Sequence, residues 1–238
     1  MPELPDVEVY VEHLEKLVKG RALVQIRLRS IFLLRSVTPP LSSCHGKVVT
    51  SVQRLGKQLV IGLEDELFLL IHLMISGRLR WGKPDAAIPK GMGLAAFDFD
   101  NGTVLFTEAS KKKRASLRVI ETQQSLVAFD RGGLEVLDNS FEAFAERMRA
   151  ENHTLKRALT DQRILSGIGN AYSDEILHRA RLSPARRTQQ VPDNIMRSLH
   201  EATRSTLIEW TERLRVLAGD KFPDKVTAFR EEMAVHGK

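Results

Sequence analysis

Residues 94–108 read LAAFDFDNGTVLFTE and indicate the fold of the first half of the chain. Two runs rich in β-branched and aromatic residues flank the dipeptide Asn101-Gly102. An Asn-Gly pair in this setting is the strongest local signal for a two-residue β-hairpin, because both residues tolerate a positive φ. The stretch therefore predicts two antiparallel strands joined by a tight turn.

Similar short runs lie on both sides of this hairpin. Residues 23–34 begin with apolar and polar residues in alternation, as a half-buried strand requires. Turn-like breaks, such as Gly56, separate the runs that follow. The other predicted strands lie at 47–55, 57–64, 66–75 and 115–121. Many short strands joined by tight turns predict an antiparallel β-sandwich or barrel.

One helix is predicted before the first strand. Pro5 suits a first helical turn, and Gly20 is a plausible end. Apolar residues recur between them at helical spacing, at Val7, Val11, Leu14 and Val18. The extreme N-terminus is therefore expected to be tied to a packed helix, although chain termini are usually loose.

The pattern changes at residues 131–140, which read RGGLEVLDNS. Ser140 is a good N-cap, and helical patterns follow it at 140–150, 153–161, 171–180 and 195–217. We therefore predict an α+β fold in two domains. Residues 1–130 form an antiparallel β-sandwich with an N-terminal helix, and residues 131–238 form a helical domain.

The composition indicates a globular protein with a polyanionic partner. Hydrophobic residues make up 42% of the 238, the net charge is +6 and the pI is about 9.6. Nucleic acid is the first candidate partner and an acidic membrane the second, although many inert proteins are equally basic.

The single cysteine, Cys44, supplies neither an internal disulfide nor a multi-cysteine metal site. The apolar run at 67–75 is too short to span a bilayer, and no signal peptide is recognisable, so an intracellular location is expected.

Two motifs have both a functional and an ordinary explanation. In SGIGNAYSDEIL, at 166–177, Gly167 and Gly169 allow close backbone approach, and Asn170 opens a helix whose N-terminus suits phosphate. An ordinary inter-helix turn is the alternative. The basic run from Lys111 to Arg114 is equally consistent with a solvated loop and with a phosphate clamp.

Four segments together resemble the formamidopyrimidine-DNA glycosylase and endonuclease VIII family of DNA repair enzymes. These segments are MPELPDVE, RLGKQL, IHLMISGRL and SGIGNAYSDEIL, in this order, and the resemblance covers nearly the whole chain. It implies a β-sandwich domain followed by a helical domain with a helix–two-turn–helix motif. DNA would bind in the cleft between the two domains.

The resemblance gives the opening peptide a chemical interpretation. Initiator methionine is readily removed before proline, which would leave Pro2 with a free secondary amine. A terminal amine has a pKa of about 7.7 to 8.0, against about 10.4 for lysine, so it is a usable nucleophile near neutral pH. The family implies that Pro2 attacks the sugar C1′ to form a Schiff base. It also implies that Glu3 serves as general acid and base.

The resemblance assigns further residues to DNA. Lys57 contacts phosphate and assists elimination, so it joins Pro2 and Glu3 as a catalytic residue. Glu175 lies near the lesion pocket, into which the damaged nucleotide is flipped. The remaining implied DNA contacts are His72, Ile75, Lys111, Lys112, Lys113, Arg114, Lys156, Gly167, Gly169 and Asn170.

Several positions depart from the family pattern. Asp6 replaces a glutamate, and Ile75 replaces the methionine that wedges into the gap left by the flipped base. The loop SKKKRAS, at 110–116, lacks the arginine and phenylalanine with which the family reads the opposite base. No counterpart of the family's four-cysteine zinc finger is present up to Lys238, so no metal or other cofactor is predicted for these residues.

The sequence thus favours a bifunctional DNA glycosylase with AP lyase activity on oxidised bases. A relative that binds damaged or abasic DNA without efficient excision is the alternative, and a basic structural protein is the third. The expected partner is double-stranded DNA containing oxidised bases or abasic sites, with no membrane. We expect a monomer that is cytoplasmic, near a bacterial nucleoid, or otherwise intracellular.

Overall fold

The computed structural model of the protein describes residues 1–223 and 230–237. Eight strands form two antiparallel four-stranded sheets, one ordered β1-β6-β7-β5 and the other β2-β3-β4-β8. The first sheet contains β1 (Gln25–Leu28), β5 (Gly77–Gly82), β6 (Gly93–Phe99) and β7 (Gly102–Glu108). The second contains β2 (Val49–Leu55), β3 (Gln58–Leu63), β4 (Leu67–His72) and β8 (Ser116–Glu121). The predicted β-sandwich is confirmed.

The hairpin at 94–108 forms, but its turn lies one residue earlier than the Asn-Gly pair indicates. Phe99 pairs with Gly102, so Asp100 and Asn101 occupy the turn and Gly102 opens β7. A Cβ on Gly102 would lie 2.1 Å from a ring carbon of Trp81. Glycine is therefore required here by the indole packed against the strand, and not by a positive φ.

The strand pattern predicted at 23–34 holds for only its first part. The amides of Arg29 and Ser30 both donate to the carbonyl of Leu94, which ends the ladder between β1 and β6. A short 3₁₀ helix, Ile31–Leu33, follows, and it leaves the side chains of Ile31 and Phe32 exposed. Alternation alone does not show where a strand loses its hydrogen-bonding partner.

The N-terminal helix, α1 (Leu4–Val18), carries Pro5 in its first turn, and Gly20 follows its end with a φ of +78°. Its four spaced apolar residues, Val7, Val11, Leu14 and Val18, are buried in the main sandwich core. Leu4, one turn before Val7, belongs instead to the core of the helical half. The start of α1 therefore lies where the two hydrophobic cores meet.

The helical half begins after α2 (Gln123–Val127). Ser140 caps α3 through its hydroxyl, which accepts a hydrogen bond from the Ala143 amide. The elements are α3 (Phe141–Arg149), α4 (Leu155–Thr160), α5 (Asn170–Ala180) and α6 (Asp193–Ala218). Helix α6 packs on both α5 and α1, so the helical half is fixed against the sandwich. The division between residues 130 and 131 stays a prediction, and residues 224–229 and 238 of the predicted second domain lie outside the described residues.

Candidate active site

The opening peptide is joined to the turn that precedes α5. The amide of Leu4 donates to the carbonyl of Gly167 over 2.9 Å. Gly167 has a φ of +80°, and a Cβ there would lie 2.7 Å from Cβ of Leu4. Two requirements, the left-handed backbone and the close approach, both demand glycine at this position. The N-terminal residues and the GIGN turn therefore form one packed unit.

Glu3 is buried, and its carboxylate lies at the N-terminus of α5. One oxygen accepts hydrogen bonds from the amides of Gly169 (2.6 Å) and Tyr172 (3.2 Å), and the other from the Ala171 amide (3.0 Å). Unpaired amides and the helix dipole make this end of a helix a site for anions. Here the anion is the carboxylate of Glu3, which precedes Gly169 by 166 residues in the chain.

Burial raises the pKa of the Glu3 carboxyl above its usual value, although the Lys57 charge and the amide hydrogen bonds act against this shift. A carboxyl group with a raised pKa holds a proton closer to neutral pH than an exposed one. Glu3 is therefore suited to giving up and regaining a proton.

Gly169 lies against two functional groups, the side chains of Glu3 and Lys57. A Cβ built on Gly169 would lie 2.5 Å from Oε1 of Glu3 and 2.8 Å from Nζ of Lys57. Any side chain here would displace the carboxylate, the ammonium or both. The second glycine of GIGN is therefore needed because the side chains of Glu3 and Lys57 occupy the space that a Cβ would take.

Lys57 lies in the tight turn between β2 and β3, directly after Gly56, whose φ is +61°. Arg54 fixes this turn because its guanidinium donates to the Gly56 carbonyl and pairs with Glu135 over 2.6 Å. Lys57 itself is 8% exposed, and burial lowers the pKa of its amine. Within residues 1–223 and 230–237, Nζ of Lys57 has no hydrogen-bond acceptor, so it is available to a ligand.

A cavity of about 320 Å³ opens beside this cluster. Both domains contribute to it: His72 and Ser116 come from the second sheet, and Gln162 and Ser166 from the helical half. Lys57 and the first residue of the chain, Met1, also line it. The cleft that the sequence predicts between the domains is therefore present, with a lysine and the chain terminus in its wall.

His72 is neutral in this cavity. Burial lowers its pKa to about 4, and the charges of Lys57 and Arg131 act in the same direction. Its Nδ1 accepts a hydrogen bond from the Met74 amide over 3.0 Å, which leaves the proton of the neutral ring on Nε2. His72 can therefore offer one N–H donor to an anionic or polar ligand.

Met1 is joined to the Pro2 nitrogen, which the family resemblance implies is the nucleophile. Burial lowers the pKa of its α-amino group; the Glu3 and Asp6 carboxylates act against this shift, and the charges of Arg78 and Lys57 act with it. Pro2, to which it is joined, is buried. Loss of Met1 would leave the Pro2 nitrogen as the chain terminus at the wall of the cavity.

Two of the predicted DNA contacts, Lys156 and Asn170, are linked to one another around α5. Lys156 donates to the carbonyl of Asn170 over 2.9 Å and forms an ion pair with Asp174. Asn170 is exposed at the first position of α5, on the same turn as Gly169. The structure therefore places these residues next to the Glu3 cluster.

Glu175 has partners that sequence reasoning does not anticipate. Its carboxylate accepts hydrogen bonds from three consecutive amides of the C-terminal segment: Ala234 (2.8 Å), Val235 (2.9 Å) and His236 (3.0 Å). The side chain is buried and is not part of the cavity lining. Any influence on a bound nucleotide would pass through the segment that Glu175 holds.

The remaining predicted contacts lie on exposed loops. Ile75 is 59% exposed in the turn after β4, where the preceding Met74 has a φ of +53°. Lys111, Lys112 and Arg114 are exposed in the loop between β7 and β8, and none of them lines the cavity. Lys113 is half-buried because its ammonium donates to the carbonyls of Glu108 and Gly91.

Sequence reasoning missed several residues of the site. Arg118 and Arg131 line the cavity, and Arg78 lies close enough to the Met1 amine to lower its pKa. These arginines stand singly among strand or turn residues, where no local pattern separates a ligand from a surface charge. The sequence marks Asp6 only as a shorter substitute for glutamate, although its carboxylate accepts a hydrogen bond from the Glu3 amide over 3.0 Å.

Comparison with known proteins places the chain. Residues 1–114 match the formamidopyrimidine-DNA glycosylase N-terminal domain, and residues 133–214 match the H2TH domain of the same enzymes. The chain belongs to the formamidopyrimidine-DNA glycosylase family. This family consists of DNA-binding DNA repair glycosylases, and the helix–two-turn–helix assignment of the helical half is thereby confirmed.

Relatives share this match over most of their length. The formamidopyrimidine-DNA glycosylase of Solibacter usitatus is 34% identical over 214 residues, which cover 89% of this chain and 78% of the relative. That of Desulforamulus reducens is 32% identical over 210 residues, covering 85% of this chain and 75% of the relative.

The fold agrees with solved structures of the family. The Lactococcus lactis enzyme bound to abasic-site DNA superposes with a TM-score of 0.81 at 25% identity, over 88% of this chain and 79% of that one. The same enzyme with DNA containing an oxidised pyrimidine gives a TM-score of 0.81 over 89% of this chain and 80% of that one.

Among the described residues, none of the helices combines the length and the apolar composition that a membrane span requires.

The residues of this sequence do not fit the zinc site that the resemblance implies for other members. The only cysteine, Cys44, is fully buried in the sandwich core, so four thiolates are not available. Among the described residues, no three His, Cys, Asp or Glu side chains are grouped as metal ligands would be.

Proposed function

We propose that this protein is a bifunctional DNA glycosylase and AP lyase that excises oxidised bases through a Schiff base on Pro2. One observation carries the proposal: Met1 lies in the wall of the cavity that also contains Lys57 and His72. Removal of Met1 would expose the Pro2 nitrogen there, beside the buried Glu3 carboxyl. A nucleophile and the Lys57 side chain would then face the same space, with the Glu3 carboxyl buried next to the nucleophile in the chain.

The first step uses the terminal amine. The Pro2 nitrogen attacks C1′ of the flipped nucleotide and loses its proton, while the glycosidic C1′–N bond breaks and its electron pair leaves with the base. Opening of the sugar ring at O4′ gives an iminium between Pro2 and C1′. The environment that lowers the pKa of the Met1 amine would also favour the unprotonated, nucleophilic form of a Pro2 amine.

Glu3 supplies the proton that this step consumes. Its raised pKa suits a general acid, and the amides of Gly169, Ala171 and Tyr172 fix its direction. Proton transfer goes to the sugar ring oxygen or to the departing base. The resulting carboxylate is stabilised by the same three amides, which lie at a helix N-terminus.

Strand cleavage follows from the iminium. The positive nitrogen acidifies the C2′ hydrogen, so a base removes that proton and the C3′–O bond breaks, releasing the 3′ phosphate. Burial lowers the pKa of Lys57, so its neutral amine is suited to taking the C2′ proton. In its protonated form, Lys57 would instead hold the phosphate. Water then hydrolyses the iminium and regenerates the Pro2 amine.

DNA would be held by groups around the cavity and by the exposed loops. We assign phosphate contacts to His72, Lys156, Asn170 and the GIGN backbone at Gly167 and Gly169, and to the basic loop from Lys111 to Arg114. Ile75 would fill the gap left by the flipped nucleotide. Glu175 would act on the lesion side by holding residues 234–236. We propose that the protein binds double-stranded DNA as a monomer, inside the cell.

Borohydride trapping tests this proposal. The protein is incubated with a duplex oligonucleotide that contains 8-oxoguanine or an abasic site, and the iminium is reduced to a stable amine. We expect a covalent adduct whose peptide mass spectrum places the DNA on residue 2. An adduct on a lysine side chain would contradict the assignment of the nucleophile.

A damage-binding relative without excision is the second candidate, and one observation favours it. The loop at 110–116 lacks the arginine and phenylalanine with which the family reads the opposite base. Salt-dependent binding to abasic DNA with no adduct, from protein shown by mass to lack Met1, would support this candidate over the enzyme.

A further inference from the structure

Asp6 links the opening peptide to the far end of the chain. Its side chain is fully buried in the first turn of α1. One carboxylate oxygen accepts a hydrogen bond from the amide of Glu3 over 3.0 Å, and the other accepts one from Nη2 of Arg230 over 3.1 Å. Asp6 therefore connects the backbone next to Pro2 with a residue 224 positions later.

Arg230 belongs to a segment that is itself firmly anchored. Three residues on, Met233 is 1% exposed and packs in the helical core. The amides of residues 234–236 then donate to the Glu175 carboxylate of α5. An arginine held in this way presents its guanidinium to Asp6 from a fixed direction.

Glu3 is anchored at two points, its side chain and its backbone amide. Helix α5 holds the Glu3 side chain through the amides of Gly169, Ala171 and Tyr172. Asp6 and Arg230 hold its backbone amide, one peptide unit from the Pro2 nitrogen. The C-terminal segment is itself bound to α5 through Glu175. The contacts that fix the Glu3 side chain and those that fix its backbone are therefore connected.

We propose that Arg230 is a positioning residue for the catalytic peptide, acting through Asp6 to fix the Glu3 backbone and with it the Pro2 nitrogen. This inference rests on the proposed function. Arg230 bonds to the Asp6 carboxylate, whereas the partners of the Glu3 carboxylate among the described residues are amides at the start of α5, so the proposed contribution of Arg230 is geometric. Catalysis that depends on one nitrogen facing one carbon is sensitive to shifts of about 1 Å, which change rates by about 100-fold.

The test compares three variants at this pair with one matched control. Arg230→Met removes the guanidinium and leaves the Asp6 carboxylate buried and unpaired. Asp6→Asn with Arg230→Met removes both charges and keeps an oxygen to accept the Glu3 amide proton. Arg230→Lys restores a single positive charge. The control, Arg215→Met, removes an exposed arginine of α6 that pairs with Glu12 of α1, nine residues after Glu3 in the chain.

The first readout separates chemistry from binding. With saturating abasic-site DNA, we expect the single-turnover trapping rate of R230M to fall about 100-fold. The Kd for a duplex with a non-reactive abasic analogue should stay within about threefold, since Arg230 is not placed at the DNA. R230K should recover part of the rate, and R215M should equal the wild type.

The double variant distinguishes positioning from charge neutralisation. We expect D6N/R230M to regain thermal stability relative to R230M, because no buried charge is left unpaired. Its trapping rate should remain low, because the connection to the C-terminal segment is still missing. Recovery of both stability and rate would show that Arg230 merely neutralises Asp6 and would overturn the proposal.

Hydrogen exchange keeps this test separate from the enzyme assignment. Amides of residues 3–10 should exchange faster in R230M and in D6N/R230M than in the wild type or R215M. If the wild type forms no adduct at all, the proposed function fails, while faster exchange would still show that Arg230 holds the peptide. Unchanged exchange in both variants would overturn the positioning role whatever the activity.

Discussion

The opening peptide and the basic loop between β7 and β8 are both short, charged segments, yet the structure treats them in opposite ways. In the peptide, Glu3 and Asp6 are buried and every carboxylate oxygen has a partner. In the loop, Lys111 and Lys112 extend into solvent. The fold therefore fixes the side chains of the opening peptide, whereas it leaves Lys111 and Lys112 in solvent.

This difference teaches where each kind of function is located. A covalent step needs a nucleophile and a proton donor within a fraction of an ångström of their targets, and burial among several hydrogen bonds provides that. Attraction to phosphate depends on charge and falls off slowly, so exposed lysines suffice. The two segments should therefore respond to mutation in different ways.

The largest effect is expected at Glu3. Glu3→Gln keeps the shape but removes the transferable proton, so the rate of base excision should fall about 1,000-fold. Trapping on DNA that already contains an abasic site should be affected less, because no base has to leave. The measurement is single-turnover excision of 8-oxoguanine beside trapping. Glu15→Gln, an exposed residue of α1 paired with Lys19, is the control.

Gly169→Ala should be the next most damaging change. The new Cβ would lie 2.5 Å from Oε1 of Glu3 and 2.8 Å from Nζ of Lys57, so both groups must move. We expect excision and trapping to fall together by about 100-fold. Gly20→Ala is the matched control: φ there is +78° but nothing lies within 4 Å, so it should lower stability and spare the rate. Equal rates in both alanine variants would contradict the account of the GIGN turn.

A smaller effect is expected from pH. Burial lowers the pKa of the Met1 α-amino group and raises that of Glu3, and we expect burial to act in the same direction on a free Pro2 amine. Below the amine's pKa, protonation removes the nucleophile, and the single-turnover rate should fall about tenfold per pH unit. Above the pKa of Glu3, loss of its proton slows excision. The rate should therefore pass through a maximum, and a profile without an acidic limb would exclude a terminal amine as nucleophile.

The smallest effect on chemistry is expected in the basic loop. Lys111→Gln with Lys112→Gln should reduce the slope of log Kd against log salt by about 2, because each lysine releases about one counterion. Affinity should weaken alike for all sequences, while trapping at saturating DNA stays unchanged. Lys113→Gln is the internal control, since its ammonium is bound to two carbonyls of the chain. Loss of trapping with intact affinity would contradict the phosphate-clamp role.

Much of the fold follows from local patterns. Helix α1 and the hairpin of β6 and β7 are predicted because period and turn signals are strong within a few residues. The turn of that hairpin is displaced by one residue, and the contact that requires Gly102 comes from Trp81 on a neighbouring strand. A contact between distant residues leaves no local signature.

The same reason limits what sequence shows of the site. Pro2, Glu3 and Lys57 are found because they stand in segments that resemble a known family. Arg230 and Asp6 are joined only by folding, and Glu175 turns toward the C-terminal segment for the same reason. Its three amide partners are unremarkable residues in the sequence, so no pattern marks them as partners.

The most direct test of the central claim uses one protein in two forms, with Met1 retained and with Met1 removed by methionine aminopeptidase, each verified by intact mass. Both forms have the same fold and the same side chains at Glu3, Lys57 and His72. We predict borohydride adducts with abasic-site DNA only after removal, with the DNA on Pro2. Equal adduct formation by the two forms would contradict the claim that a free Pro2 nitrogen is the nucleophile.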